Sequence, residues 1–134
     1  GLLDDGVVPV VATLGTDSAG QSYNINADTA ASALAVALKA EKILFLTDIA
    51  GVLRDPSDTE SLIPTLSPSS VKQLTKDGVI SGGMIPKLDS CLHAVNGGVT
   101  TAHILDGRVA HVTLLELLTD TGVGTMVVAD GSAL

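Results

Sequence analysis

Strand-like runs that alternate with helix-like stretches constrain this chain more than any other feature. Val7-Val8-Pro9-Val10-Val11-Ala12 is nearly all apolar and rich in β-branched residues, the composition of a buried strand. Lys42 to Thr47 reads as a second buried strand, Val99 to Leu105 as a third and Met126 to Ala129 as a last one. Between them lie helix signals. Asn26 is placed as an N-cap with Asp28 in the first turn, and Ala30 to Ala40 is apolar almost all round, which predicts a helix buried against a sheet. Ser67-Pro68 opens a helix through about Lys76, with Gly78 ending it. Another helix follows Lys87, placing Leu88, Cys91, Leu92 and Val95 on one apolar face and stopping at Asn96-Gly97-Gly98. His111 to Leu118 suits a short helix. Gly15 to Gly20 is turn chemistry from which Gln21 to Ile25 returns as the second arm of a hairpin. Leu62-Ile63 reads as a short strand after a polar, exposed loop from Arg54 to Ser61. The alternation predicts an α/β fold, one domain over residues 1–134 with a mainly parallel sheet sandwiched by helices.

Composition narrows the classes of function. Hydrophobic residues are 46% of the chain but aromatics only 1%, so a core must be built from closely packed Ala, Val, Leu and Ile. Fifteen acids against seven Lys and Arg give a net charge of −8, which argues against a nucleic-acid binder and makes any anion site local. Cys91 stands alone, which excludes an internal disulfide and a multi-cysteine metal cluster; on an apolar helix face it reads as a buried structural thiol. No apolar run approaches the roughly 20 residues that span a bilayer. The first residues carry no targeting signal and read like a helix end and a turn, as if the chain begins inside a longer protein.

Three polar clusters are candidate sites, each with a plainer structural reading. In Ser81-Gly82-Gly83-Met84-Ile85-Pro86-Lys87, the glycines free the backbone and Pro86 suits a first helical turn. A glycine-rich turn entering a helix presents N–H groups suited to phosphate. Lys87 sits badly at the positive end of a helix dipole unless an anion bridges the two; the plain alternative is a solvated lysine beside a flexible turn. In Asn24-Ile25-Asn26-Ala27-Asp28, capping accounts for Asn26 and Asp28 but not for Asn24. In Thr47-Asp48-Ile49-Ala50-Gly51, a carboxylate and a glycine lie just past a strand's C-terminal end, where open α/β sheets hold ligands, or form an ordinary turn. His93, His103 and His111 lack the spacing of a helical metal site and read as structural. No nucleophile elbow, P-loop or Gly-x-Gly-x-x-Gly fingerprint is present.

Taken in order, Tyr23-Asn-Ile-Asn-Ala-Asp28, Leu46-Thr-Asp-Ile-Ala-Gly-Val-Leu53 and Gly82-Gly-Met-Ile-Pro-Lys87 resemble the amino acid kinase family, in particular its acetylglutamate kinase branch. Ala102-His-Ile-Leu-Asp-Gly-Arg108 and Leu114-Leu-Glu-Leu-Leu-Thr-Asp-Thr-Gly-Val-Gly-Thr125 also look like that branch, and the last of these motifs is similar to its arginine-inhibited form, found in cyanobacteria and plastids among others. The resemblance covers essentially the whole chain. It implies the C-terminal, nucleotide-binding lobe, with the N-terminal lobe for the acyl amino acid absent, together with that lobe's second catalytic lysine and carboxylate-binding arginine.

The activity so implied is transfer of the γ-phosphoryl group of ATP, carried with Mg2+, to the side-chain carboxylate of N-acetyl-L-glutamate in arginine biosynthesis. A glutamate-type carboxyl, with a pKa of about 4.3, is ionised at neutral pH and needs no general base. Positioning and charge neutralisation then carry catalysis. The resemblance implies that Lys87 stabilises the transferring and leaving phosphates, that Asp28 orients the catalytic lysines, and that Asn24 contacts the acylated amino acid. Thr47, Asp48, Gly51, Val52 and Leu53, with Val79, Ile80, Ser81, Gly83 and Met84, would hold the nucleotide. Glu116, Gly122 and Gly124 would surround an L-arginine inhibitor, and the nitrogen-signalling PII protein is an implied partner. The implied complete enzyme is a homo-oligomer of the bacterial cytoplasm or chloroplast stroma, with no nucleic-acid or membrane role. The alternatives are another family member, of glutamate 5-kinase or aspartokinase type, and an arginine- or PII-binding regulatory module without catalysis.

Overall fold

The computed structural model describes residues 1, 3–119 and 122–132. A four-stranded sheet in the order β3-β5-β6-β4 is built from β3 (Lys42–Thr47), β4 (Thr65–Leu66), β5 (Thr101–Asp106) and β6 (Thr125–Val128). β3 runs parallel to β5 and β4 parallel to β6, while β5 and β6 are antiparallel. A separate antiparallel hairpin joins β1 (Leu14–Thr16) and β2 (Ser22–Asn24), turned by Asp17, whose Oδ1 accepts from the N–H groups of Ala19 and Gln21, both at 2.9 Å.

Three helices cover one face of the larger sheet: α1 (Ala27–Ala37), α2 (Pro68–Lys76) and α3 (Met84–Asn96). Their starts and stops follow local chemistry. Asn26 Oδ1 accepts from Thr29 N–H at 3.0 Å, and Ser67 and Ser70 form a reciprocal capping box ahead of Pro68. Past the end of α3 the chain turns at Gly98, whose φ is +102°. Ile43 and Phe45 of β3, Ala102 and Ile104 of β5 and Val127 of β6 pack against Ala35, Val71, Leu88, Cys91, Ala94 and Val95 of these helices. Strand alternation turns His103 and Leu105 to the opposite face, where α4 (Val112–Leu118) covers β5 through the buried Val112. No described helix is long and apolar enough to cross a membrane.

Several expectations are corrected. Val7 to Ala12 is not a buried strand: Val8 and Val10 are 85% and 97% exposed. β-branched composition needs a neighbouring ladder, and pairing starts only when Ile25 N–H donates to Thr13 C=O at 2.9 Å. Helix α1 is buried along one face only, through Ser32 and Ala35, and leaves Leu34 and Leu38 exposed. The short strand expected at Leu62-Ile63 lies at Thr65–Leu66, while Leu62 bridges Leu53. Helix α3 begins at Met84, ahead of Lys87, which places that lysine in the first helical turn.

Cys91 is fully buried, as its position on α3 implied. Burial pushes its thiol up to about 12, outweighing the opposite pull of the Lys87 charge. The folded chain should therefore resist alkylation by iodoacetamide at mildly alkaline pH and react once unfolded in urea, as mass spectrometry of the adduct would record. Rapid modification of the folded chain would contradict this packing.

Candidate active site

Helices α1 and α3 lead directly into β3 and β5, which are parallel, so both helix N-termini lie at the C-terminal edge of that strand pair. Two positive dipole ends thus converge where open α/β sheets hold ligands. Asp28 stands in the first turn of α1 and Lys87 in the first turn of α3. Lys87 Nζ donates to Asp28 Oδ2 at 2.7 Å, with 17% and 31% of the two side chains exposed. The ammonium also lies 5.9 Å from the centroid of the Phe45 ring. A resident carboxylate therefore offsets the cost of a cation at the start of a helix. The pair keeps one edge towards solvent, open to a further anion.

The ends of the two parallel strands are also tied together. Gly107 N–H donates to Thr47 C=O at 2.8 Å, linking the ends of β3 and β5. Arg108 clamps Asp106 through Nε to Oδ1 at 2.9 Å and Nη2 to Oδ2 at 2.8 Å. These bonds hold the Asp106 carboxyl at about 2, below its usual 3.8. The Asp48 carboxylate adds to the field that keeps Arg108 charged, and Thr47 Oγ1 donates to Asp48 Oδ1 at 3.3 Å.

Beside this edge a cleft of about 210 Å³ opens between the segment after β3 and the turn into α3. Gly51, Val52, Leu53, Val79, Ile80, Ser81 and Met84 all line it, so seven of the ten residues assigned to nucleotide from the sequence share one cavity. Thr47, Asp48 and Gly83 do not line it; Gly83 is the residue preceding α3. Asn24 is also apart, exposed on β2 opposite Leu14. Ile49 and Pro56 complete the lining; Ile49 lies inside the Thr47–Gly51 cluster marked in the sequence, whereas Pro56 is missed because its polar neighbours mark only an exposed loop. An apolar slot beside helix N-termini can accept a flat aromatic base while leaving attached phosphates near the dipoles.

A second cavity, about 310 Å³, gathers Glu116, Gly122 and Gly124 on the opposite face of the sheet, with Lys42, Thr65 and His103. Glu116 is 5% exposed at its side chain and already has two partners: Oε1 lies 2.6 Å from His103 Nδ1, and Oε2 accepts from Val123 N–H at 2.8 Å. Thr101 Oγ1 lies 2.8 Å from His103 Nε2. His103 is thus a buried, doubly held structural ring, as expected, and it also borders this cavity. Period-two alternation puts Thr101 and His103 on one strand face and was the available signal.

Known proteins share both the sequence pattern and this fold. A model of the amino acid kinase family matches residues 1–106. The chain is 52% identical to the acetylglutamate kinase of Desulforamulus reducens over 129 residues, covering 96% of this chain and 45% of that enzyme. It is 56% identical to the acetylglutamate kinase of Heliobacterium modesticaldum over 126 residues, 94% of this chain and 43% of that enzyme. It spans less than half the length of these curated relatives. Among solved structures it resembles the N-acetylglutamate synthase of Neisseria gonorrhoeae complexed with coenzyme A and L-arginine, with a TM-score of 0.85 and 32% identity, over 95% of this chain and 29% of that one. Carbamate kinase from Giardia lamblia bound to AMP-PNP shares the fold, with a TM-score of 0.63 and 20% identity, over 87% of this chain and 37% of that one. On the family match and its relatives, the chain belongs to the amino acid kinase family.

Proposed function

We propose that residues 1–134 form the ATP-binding lobe of an acetylglutamate kinase, which transfers the γ-phosphoryl group of ATP to the side-chain carboxylate of N-acetyl-L-glutamate. The observation that carries this reading is the Lys87–Asp28 pair at two converging helix N-termini, beside the cleft lined by 51–53, 79–81 and Met84. The adenine enters the apolar slot and the phosphates reach the N-terminus of α3. Magnesium arrives on the ATP, held chiefly by phosphate and water. Lys87 neutralises charge on the γ-phosphoryl group and on the leaving oxygen, while Asp28 fixes the direction of its ammonium. Asn24, Thr47, Asp48 and Gly83 are proposed contacts outside the cleft lining. The acyl amino acid and a second lysine belong to a further lobe, for which the relatives' greater length leaves room.

Two arms test this. Calorimetry of the 134-residue chain should record binding of Mg-ATP, and a coupled assay should find no acetylglutamate-dependent ADP release. Absence of ATP binding would sink the nucleotide assignment, and turnover by this chain alone would sink the two-lobe reading.

A regulatory second reading is favoured by the Glu116 cavity. A carboxylate lining it, together with Gly122 and Gly124, offers a seat for the guanidinium of L-arginine, the ligand named for the synthase structure. Both Glu116 oxygens already accept a hydrogen bond, so arginine would use their remaining lone pairs or replace His103. PII binding, homo-oligomer formation and a bacterial-cytoplasmic or chloroplast-stromal setting belong to this proposal too. PII binding and the setting rest on the resemblance of the Leu114–Thr125 motif, and the homo-oligomer on the resemblance to the family as a whole.

A further inference from the structure

We infer that Thr125 is the positioning residue that sets the nucleotide-facing wall of the cleft; this rests on the cleft being the ATP site. The wall is a short antiparallel ladder. Ile63 N–H donates to Val52 C=O at 2.8 Å, Leu53 bridges Leu62, and Arg54 N–H donates to Ser61 C=O at 3.0 Å. In a regular ladder of this register Val52 and Ile63 would exchange two direct hydrogen bonds. Only one is direct here. Val52 N–H instead donates to Thr125 Oγ1 at 2.8 Å, and that hydroxyl donates to Ile63 C=O, also at 2.8 Å. The hydroxyl is wedged into the rung, fully buried, from a residue 73 positions beyond Val52.

Gly51 is the other half of the device. A Cβ there would stand 2.6 Å from Thr125 Oγ1 and 3.0 Å from Thr125 N, and its φ of +149° is one that side chains rarely adopt. A side chain at 51 would thus occupy the wedge's place. Two stretches that look independent in sequence, Asp48-Ile-Ala-Gly51 and Gly122-Val-Gly-Thr125, meet at a single hydroxyl. Since Gly51, Val52 and Leu53 form one wall of the cleft, the spread of the rung sets where that wall stands. A valine at 125 matches threonine in shape but leaves the wedge without polar atoms. Val52 N–H and Ile63 C=O must then close on each other, shifting the wall, or stay unpaired, loosening it.

The test compares Thr125→Val and Thr125→Ser in the 134-residue chain, by Mg-ATP affinity and by amide exchange at Val52 relative to Ala94 and Val95 in α3. Thr125→Val should weaken ATP binding roughly tenfold, the effect of losing one buried hydrogen-bonded rung. It should speed exchange selectively at Val52, and Thr125→Ser should restore both. A general loss of stability would instead raise exchange in α3 as well. Thr125→Val binding ATP as tightly as the unsubstituted chain would overturn the inference, as would equal acceleration at Val52 and in α3. If the unsubstituted chain binds no ATP, the cleft assignment fails and Val52 exchange alone decides: a selective rise upholds Thr125 as the residue that sets this wall, and an unchanged rate removes it.

Discussion

Replacing Lys87 by alanine in a polypeptide of the relatives' full length is expected to lower kcat for acetylglutamate phosphorylation by about 10²–10³-fold, the usual consequence of removing one preorganised electrostatic stabiliser. The expectation comes from the reaction's charges. A carboxylate must approach a triphosphate, so the barrier is dominated by bringing like charges together and by negative charge passing to the leaving oxygen. The mounting of Lys87 suits that role. Its carbon chain is largely buried, its ammonium is aimed by Asp28 at 2.7 Å, and it starts at a helix end that also attracts anions. Little would have to reorganise when the phosphoryl group moves. If Lys87 acts on the transition state, kcat should fall much further than KM for ATP rises. A loss confined to KM would make it a ground-state binding residue, and near-normal turnover would refute the role.

The parts of the fold that could be read from sequence were those governed by local chemistry. Asn26, the Ser67-Pro68 start and the Gly97-Gly98 stop depend on hydrogen bonds made within a few residues, and each stands where its residue type implies. What depends on partners far along the chain was misplaced. Val7 to Ala12 has strand composition but no ladder to join among the described residues, and an all-round apolar α1 still packs along only one side. In the site, most cleft residues fall into two stretches, 51–53 and 79–81 with Met84; local chemistry marks only their edges, at Gly51, Ser81 and Met84, and the family resemblance is what joins them. The Lys87–Asp28 contact crosses 59 residues and the Val52–Thr125 bond 73, distances over which no periodicity speaks. The His103–Glu116 contact escapes local reading for the same reason, since Glu116 lies on another element.

The two glycines of the Gly122-Val123-Gly124-Thr125 stretch should behave oppositely when each is changed to alanine, although their shared motif invites a shared role. At Gly124 a Cβ would lie 2.2 Å from the Ile104 carbonyl oxygen and 2.6 Å from Leu105 Cδ2. The obstruction is backbone, so no rotamer relieves it. β6 would have to draw away from β5 where Ile104 and Thr125 are paired, in the fully buried centre of the sheet. Overpacking of this kind costs about 3 kcal/mol, a large share of a small domain's stability. Gly124→Ala should therefore show a sharply lower urea midpoint at similar m value, or fail to fold. It should also disturb ATP binding, because the displaced strand carries the Thr125 hydroxyl away from Val52. At Gly122 a Cβ meets nothing nearer than Glu116 Oε2 at 3.5 Å, an ordinary contact on an exposed residue. Gly122→Ala should leave the stability within about 0.5 kcal/mol of the parent. Any effect it has would then appear as weaker L-arginine binding beside the Glu116 carboxylate. Equal midpoints for the two variants would contradict the close β5–β6 approach. A stable Gly124→Ala that lost only arginine affinity would return that glycine to the regulatory role, whereas the packing makes it first a residue of the sheet.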